Sequence, residues 1–448
     1  MSFSPLDSEL YGPAFTTPQM REVFSDAEHL KRMVQVEAAL AKVQAELGLI
    51  PAEAARDIVA VCGRVQIDYQ RLQRSVQTDG VPVIGLLAEL RGMLGEEGRT
   101  YLHWGATTQD VVDTALILGV RDALGHLEEL LRQLAGQLGL QADRHRATLI
   151  AGRTHSQQAL PVTLGLKVAG WLLPLLRDLD RLSELRPRLL TLQFGGAAGT
   201  LAALGASGGL KVQEALSREL RLHTPELPWH TARDTLAELG GWLSLVSGTV
   251  GKIGQDVILL SQSEVGELRE SIDRSRGGSS TMPQKSNPMQ SEAMVAAARM
   301  NAGLLSGLHH ALIQEHERGT HGWQLEWLTL PQMFGLTAGS LRNANAVATE
   351  MAVNAEQMRE NIASSRGLML AEAYSFALTP ALGREGAKTL VTDGVTRALA
   401  DNMHLSDALA SLPDAPPDLP RLSEENYLGA TDQFIDRVLN RLDRVIWN

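Results

Sequence analysis

The 448-residue sequence predicts an all-α fold, and three observations carry that prediction. Apolar residues recur at alternating spacings of three and four from Leu236 through Leu239, Leu243, Val246, Val250, Ile253 and Val257 to Leu260, which is the period of a helical seam. After Asp110, a segment without proline sets Val112, Leu116, Val120, Leu124, Leu127, Leu131, Leu134 and Leu138 on one broad helical face. Alternating runs of strand type are scarce, Leu192 to Phe194 being one of the short candidates.

In chain order, the segment after Asp110 should run for about seven turns. A third helix is expected from near Pro161 to Leu185, with a kink at Pro174. The seam helix carries Gly240, Gly241, Gly248, Gly251 and Gly254 between its apolar positions, which lowers its intrinsic propensity but lets neighbouring helices come close. A fourth helix should open at Pro288, since proline suits a first helical position, and run towards Leu312. Pro413, Pro416, Pro417 and Pro420 make a loop before an amphipathic segment at Thr431 to Leu442. The expected domains are 1–109, 110–350 and 351–448, with the long helices in the second.

Composition narrows the function. Cys62 is the single cysteine, which excludes a disulfide framework or a multi-cysteine metal site and suits a reducing cytosol. The first residues lack the basic start and apolar run of a signal peptide, and no uncharged apolar stretch approaches the roughly 18 residues of a membrane span, so a cytoplasmic protein is expected. A net charge of −11 repels nucleic acid and anionic membranes. An anionic substrate therefore needs a local cluster of positive groups.

Such a cluster is offered by Gly277-Gly278-Ser279-Ser280-Thr281-Met282-Pro283-Gln284-Lys285-Ser286-Asn287-Pro288, between two long helices. Its glycines let a loop open and close, and the following helix offers its positive N-terminal end to an anion. Lys285 and Asn287 suit the doubly charged aci-carboxylate that forms when a proton leaves carbon beside a carboxylate. Ser279 or Ser280 can move that proton as an alkoxide held in a closed, dry site. Gly-Ser-Ser alone reads as a flexible linker; the complete string does not. Two further polar blocks, His103-Trp104-Gly105-Ala106-Thr107-Thr108-Gln109-Asp110 and Gly152-Arg153-Thr154-His155-Ser156-Gln157-Gln158, also precede long helical patterns. Singly, the first could be an ordinary helix cap and His155 a surface residue. No metal spacing or phosphate-binding glycine motif is present, so no cofactor is expected.

Taken together, the three blocks resemble those of the fumarase/aspartase superfamily of helical lyases and isomerases. The resemblance implies a three-domain fold with a long central bundle, and a homotetramer with a twenty-helix core and active sites shared between subunits. It also implies a small polycarboxylate as substrate. By the same resemblance, His103, Thr107, Thr108, Gln109, Arg153, Thr154, Gln157, Lys285, Asn287 and Arg318 bind substrate. Ser279 or Ser280 transfers the proton, and His155 is a general acid, a substrate ligand or a structural residue.

Within the superfamily, the chain is most similar to bacterial 3-carboxy-cis,cis-muconate cycloisomerases, which form 4-carboxymuconolactone in aromatic acid breakdown. The similarity lies in Phe15 to Asp26, Leu185 to Leu190, Gln193 to Gly199, Leu227 to Asp234, Gln314 to Arg318 and Tyr427 to Gly429. Adenylosuccinate lyase is the runner-up. Where that family has a histidine-rich segment, this chain has Gln77-Thr78-Asp79-Gly80-Val81-Pro82. Argininosuccinate lyase fits the blocks around Trp229 and Glu317 less well. A non-catalytic helical scaffold is the reading from another class, and the intact loop argues against it.

Overall fold

The structure is a computed structural model and describes every residue except 1–3, 272, 274–276, 279–280, 283 and 448. Helices dominate it. The longest are α1 (Asp26–Glu46), α2 (Thr108–Arg144), α3 (Leu164–Leu189), α4 (Asp234–Leu260), α5 (Met289–Ala311), α6 (Gly322–Glu350) and α7 (Ala371–Ala400), with a terminal α8 (Thr431–Trp447). Two small antiparallel pairs join them, β1 (Leu149–Thr154) with β2 (Gln157–Thr163), and β3 (Leu268–Arg269) with β4 (Ala352–Val353).

All eight seam residues of α4 are buried, none more than 4% exposed, so the seam faces a core along its full length. Although α4 is long and apolar enough by composition to cross a membrane, Lys252 and Asp256 interrupt it and its seam packs inside the protein. The glycines divide. A Cβ on Gly240 would collide with Leu308 of α5, and one on Gly254 would lie 2.8 Å from the Ser291 carbonyl, whereas Gly241 and Gly248 face open space.

The chain forms two compact units, each drawn from three segments. The first comprises residues 1–130, 178–248 and 296–342. Here the Trp242 indole donates to the Asp178 carbonyl at 2.9 Å. Asn301 donates to Ser247 at 3.1 Å and to Thr337 at 3.0 Å, tying α4, α5 and α6 through one buried amide. The second unit comprises residues 131–177, 249–295 and 343–448. In it Trp171 of α3 donates to Asp256 of α4 at 2.7 Å, Gln141 of α2 donates to the Ala348 carbonyl of α6 at 3.0 Å, and a Cβ on Gly165 would meet backbone of Ala142 and Arg146.

Two local expectations are corrected. The helix expected from Pro161 opens at Leu164, where Thr163 caps it by accepting from the Leu166 amide at 3.1 Å. Pro161 itself lies in β2, opposite Ala151. The helix then continues through Pro174 to Leu189. Leu192 to Phe194 is no strand but a buried irregular segment, whose neighbour Thr191 makes a single bridge to His223.

Candidate active site

In the first unit, the opening turn of α2 builds a buried polar network. Thr107 precedes the helix and Asp110 reaches back to its amide at 3.1 Å, one half of a capping box. The cap reading of this block therefore holds for Asp110, but the carboxylate does more. It also accepts from Gln193 at 3.1 Å, from the amides of Gly195 and Gly196 at 3.0 and 2.9 Å, and faces the His230 ring at 2.7 Å. One side chain thus fixes the glycine-rich turn after Phe194.

One helical turn on, Asp113 meets Arg233, which is 1% exposed. The guanidinium binds Asp113 at 2.6 and 3.1 Å and Glu326 of α6 at 2.8 and 2.5 Å, stacking 4.8 Å over the Trp229 ring. Trp323 and Gln109 donate to the same Asp113 at 2.9 and 3.1 Å. Burial favours the neutral form of Glu326 and outweighs the pull of Arg233, holding its carboxyl above the usual range. Gln109 links this network outward: its carbonyl accepts from Arg318 at 3.1 Å, and Arg318 also donates to the Ala197 carbonyl at 2.8 Å. The structure thus brings Gln109 and Arg318 together, with Thr107 and Thr108 half-buried beside Gln109 in the sequence. His103, seven residues before Asp110, lies with Nδ1 2.6 Å from Glu37 of α1.

In the second unit, β1 and β2 form a hairpin with His155 and Ser156 at its tip, at φ +50° and +64°. Two left-handed residues make the turn type that matches strand twist, but it ordinarily asks for Asn or Gly. Strain of that kind, on exposed residues, is characteristic of functional loops. Thr154, His155 and Gln157 are all exposed. Arg153 is engaged differently: its guanidinium makes a bidentate pair with the fully buried Glu267 at 2.8 and 2.7 Å. Asn361 donates to the same carboxylate at 2.8 Å.

The signature loop belongs to this unit as well. Ser279 and Ser280 lie outside the described residues. Lys285 is exposed and Asn287 half-buried. The loop is pinned at its base: Asn287 donates its amide to the Gly277 carbonyl at 2.9 Å, and Gly278 bridges Ser286. The N-terminal end of α5 does hold an anion, the carboxylate of Glu270, which accepts from the amides of Gln290 and Ser291 at 3.2 and 2.5 Å. A cavity of about 230 Å³ lies beside this cap, lined by Glu270, Gly277, Ser286 and Asn287 among others. Gly277 sits at φ +70°, and an added Cβ would strike the Asn287 backbone. Gly277→Ala is therefore expected to lower turnover at least tenfold while moving the thermal midpoint by only a few degrees, as measured by steady-state rates and circular dichroism.

Sequence reasoning did not single out Asp113, Glu267, Glu326 or Asn361 as site residues. Each is a partner of a polar group about 90 to 210 residues away in sequence, and no local pattern encodes such pairs. Among the described residues no group of three His, Cys, Asp or Glu side chains could hold a metal ion.

Helices throughout, with amides, hydroxyls and cations placed where helices begin, define the architecture of a helical lyase. Residues 14–303 match the family described as lyase, and the chain belongs to that family, within the fumarase/aspartase superfamily. It is 44% identical over 441 residues to the 3-carboxy-cis,cis-muconate cycloisomerase of Pseudomonas aeruginosa, covering 96% of each protein. It is 39% identical over 433 residues to trans-aconitate decarboxylase 1 of Mycosarcoma maydis, covering 95% of this chain and 88% of that one. The crystal structure of the 3-carboxy-cis,cis-muconate lactonizing enzyme from Pseudomonas putida matches with a TM-score of 0.93 at 44% identity, covering 98% of this chain and all of that one.

Proposed function

We propose that the protein is an intramolecular lyase, a cycloisomerase that converts 3-carboxy-cis,cis-muconate to 4-carboxymuconolactone. The observation that carries this reading is the 44% identity, over 96% of the chain, shared with the Pseudomonas aeruginosa cycloisomerase.

The chemistry fits the residues. A carboxylate oxygen of the substrate bonds to one carbon of its own double bond, and the π pair moves to the neighbouring, carboxylate-bearing carbon. Lys285 and Asn287 stabilise the aci-carboxylate that results. Ser279 or Ser280 delivers a proton to that carbon and regains one from water. Because both reacting groups sit in one molecule, proximity replaces a second reactant and no cofactor is required. Thr107, Thr108, Gln109, Thr154, Gln157 and Arg318 hold the remaining carboxylates. Arg153, committed to Glu267, serves by fixing the hairpin that presents Thr154 and Gln157, and His155 is an acid, a substrate ligand or a structural residue. We further propose a cytoplasmic homotetramer with sites drawing on more than one subunit.

The test is loss of diene absorbance when purified protein meets 3-carboxy-cis,cis-muconate without added metal, with a lactone as the expected product. Trans-aconitate and adenylosuccinate are run in parallel. Reaction with trans-aconitate alone would move the assignment to another unsaturated tricarboxylate, and fumarate released from adenylosuccinate would move it to the nucleotide lyases. Silence on all three would overturn the cycloisomerase reading.

A further inference from the structure

His103 stands on the loop entering α2 at φ +63°, a left-handed conformation that a residue bearing a Cβ keeps only where its surroundings fix it. Two contacts from α1 do so. Its Nδ1 lies 2.6 Å from Oε1 of Glu37, and Gln44, two turns further along α1, donates to the Trp104 carbonyl at 2.7 Å. The Glu37 side chain is wholly buried while the imidazole stays 14% exposed. Among the described residues, His103 is the only ion-pair partner Glu37 has within 4 Å, and the other carboxylate oxygen has no hydrogen-bond partner.

A buried carboxylate needs a positive partner to remain ionised. An ionised carboxylate can only accept, so Nδ1 must carry the proton between the two groups. The second ring nitrogen, Nε2, has no hydrogen-bond partner among the described residues. We propose that Glu37 is a positioning residue that holds His103 as an imidazolium, whose Nε2–H donates to a carboxylate of the substrate. This rests on the reading above that the first polar block binds substrate carboxylates, and assigns a charge and an orienting partner to one member of it.

The surroundings agree. Burial alone opposes charge on the ring, but the Glu37 charge and hydrogen bond overcome it, and Asp110 of α2 adds to them against Arg91 of the helix Val83–Met93. The net effect raises the histidine above its ordinary range. Cys62, which faces Glu37 from the helix Ala52–Cys62, stays neutral because burial, with the Glu37 charge adding, pushes its thiol up to about 12. A raised histidine is charged below its folded value and loses that charge as pH rises through it. Substrate affinity should fall over the same interval.

The experiment uses the full-length protein labelled with carbon-13 histidine, the His103 resonance being assigned by its absence in His103→Gln. In the wild type this resonance should titrate above the ordinary histidine range and shift when propane-1,2,3-tricarboxylate is added. In Glu37→Gln it should titrate lower, and KM for 3-carboxy-cis,cis-muconate at pH 7.5 should rise, little while the ring still titrates above the assay pH and by about tenfold for each unit it falls below it. That KM should recover as pH falls, with kcat little changed. An ordinary or lowered wild-type titration, or one unchanged in Glu37→Gln, would overturn the positioning role. A resonance indifferent to the tricarboxylate, or a KM that does not follow the ring's charge, would overturn the substrate contact. The wild-type titration and the tricarboxylate shift stand even if Glu37→Gln fails to fold, and they need no turnover, so failure of the cycloisomerase reading is distinguishable from failure here.

Discussion

Of the single variants Ser279→Ala and Ser280→Ala, one should lose turnover of 3-carboxy-cis,cis-muconate by about 10²- to 10⁴-fold, the range general acid–base catalysis contributes. Its KM and thermal midpoint should stay near the wild-type values. The reason is a division of labour within the loop. In the proposed reaction, Lys285 and Asn287 stabilise charge in both the bound substrate and the aci-carboxylate, and a serine hydroxyl at the reacting carbon carries the proton. Its removal therefore touches an interaction made in the transition state alone, which lowers kcat and kcat/KM together. Diene absorbance followed under steady-state and single-turnover conditions reads the effect directly. Wild-type rates in both variants would sink the serine assignment and leave the proton to another group.

Arg233→Met is expected to destabilise the first unit by about 3–5 kcal/mol, the scale for removing one partner of a buried ion pair. The variant keeps approximate volume but strands Asp113 and Glu326, whose carboxylates are 0% and 1% exposed, leaving Asp113 only the neutral donors Trp323 and Gln109. Because burial already favours the proton on Glu326, the deficit has a definite pH dependence. A carboxyl whose folded pKa lies above its unfolded value binds more protons in the folded state, so falling pH favours folding. The stability gap between variant and wild type should narrow from pH 7 towards pH 5. Thermal midpoints across that range give the measurement; a gap independent of pH would mean that the carboxylates find other compensation. Activity should fall as well, since Asp113 holds Gln109 and Gln109 holds Arg318.

The features legible in the sequence are those carried by short-range periodicity. Each apolar residue of the α4 seam is buried, and the terminal helix begins at Thr431 as its pattern implies, although it runs on to Trp447. The hairpin at residues 149–163 escaped because its turn, His155-Ser156, lacks the glycine or asparagine that normally announces left-handed residues. Pro161 mimicked a helix start, yet it occupies a strand. Leu192 to Phe194 reads as a strand because apolar and polar residues alternate across Gln193. Its backbone is instead held by a side chain, the Gln193 amide and carbonyl bonding Thr114 of α2 at 3.1 and 2.8 Å. The site divides along the same line. Runs of polar residues mark where the blocks lie, but the partners that orient them, such as Glu37 for His103 or Glu267 for Arg153, come from distant segments and are fixed only by the fold.

The assembly of the first unit from three separated segments also sets a timetable for synthesis. Arg342 donates to the Thr16 carbonyl at 2.7 Å, across 326 positions of sequence, and Gly339 packs directly on the Phe15 backbone. A ribosome adding about 5–20 residues per second leaves the N-terminal segment waiting roughly 16–65 s for those partners to emerge. During that interval Met20, 1% exposed in the finished protein, lacks late partners such as Trp327 and Leu328, which line the same cavity. The N-terminal segment therefore completes its packing only after residues 339–342 have emerged.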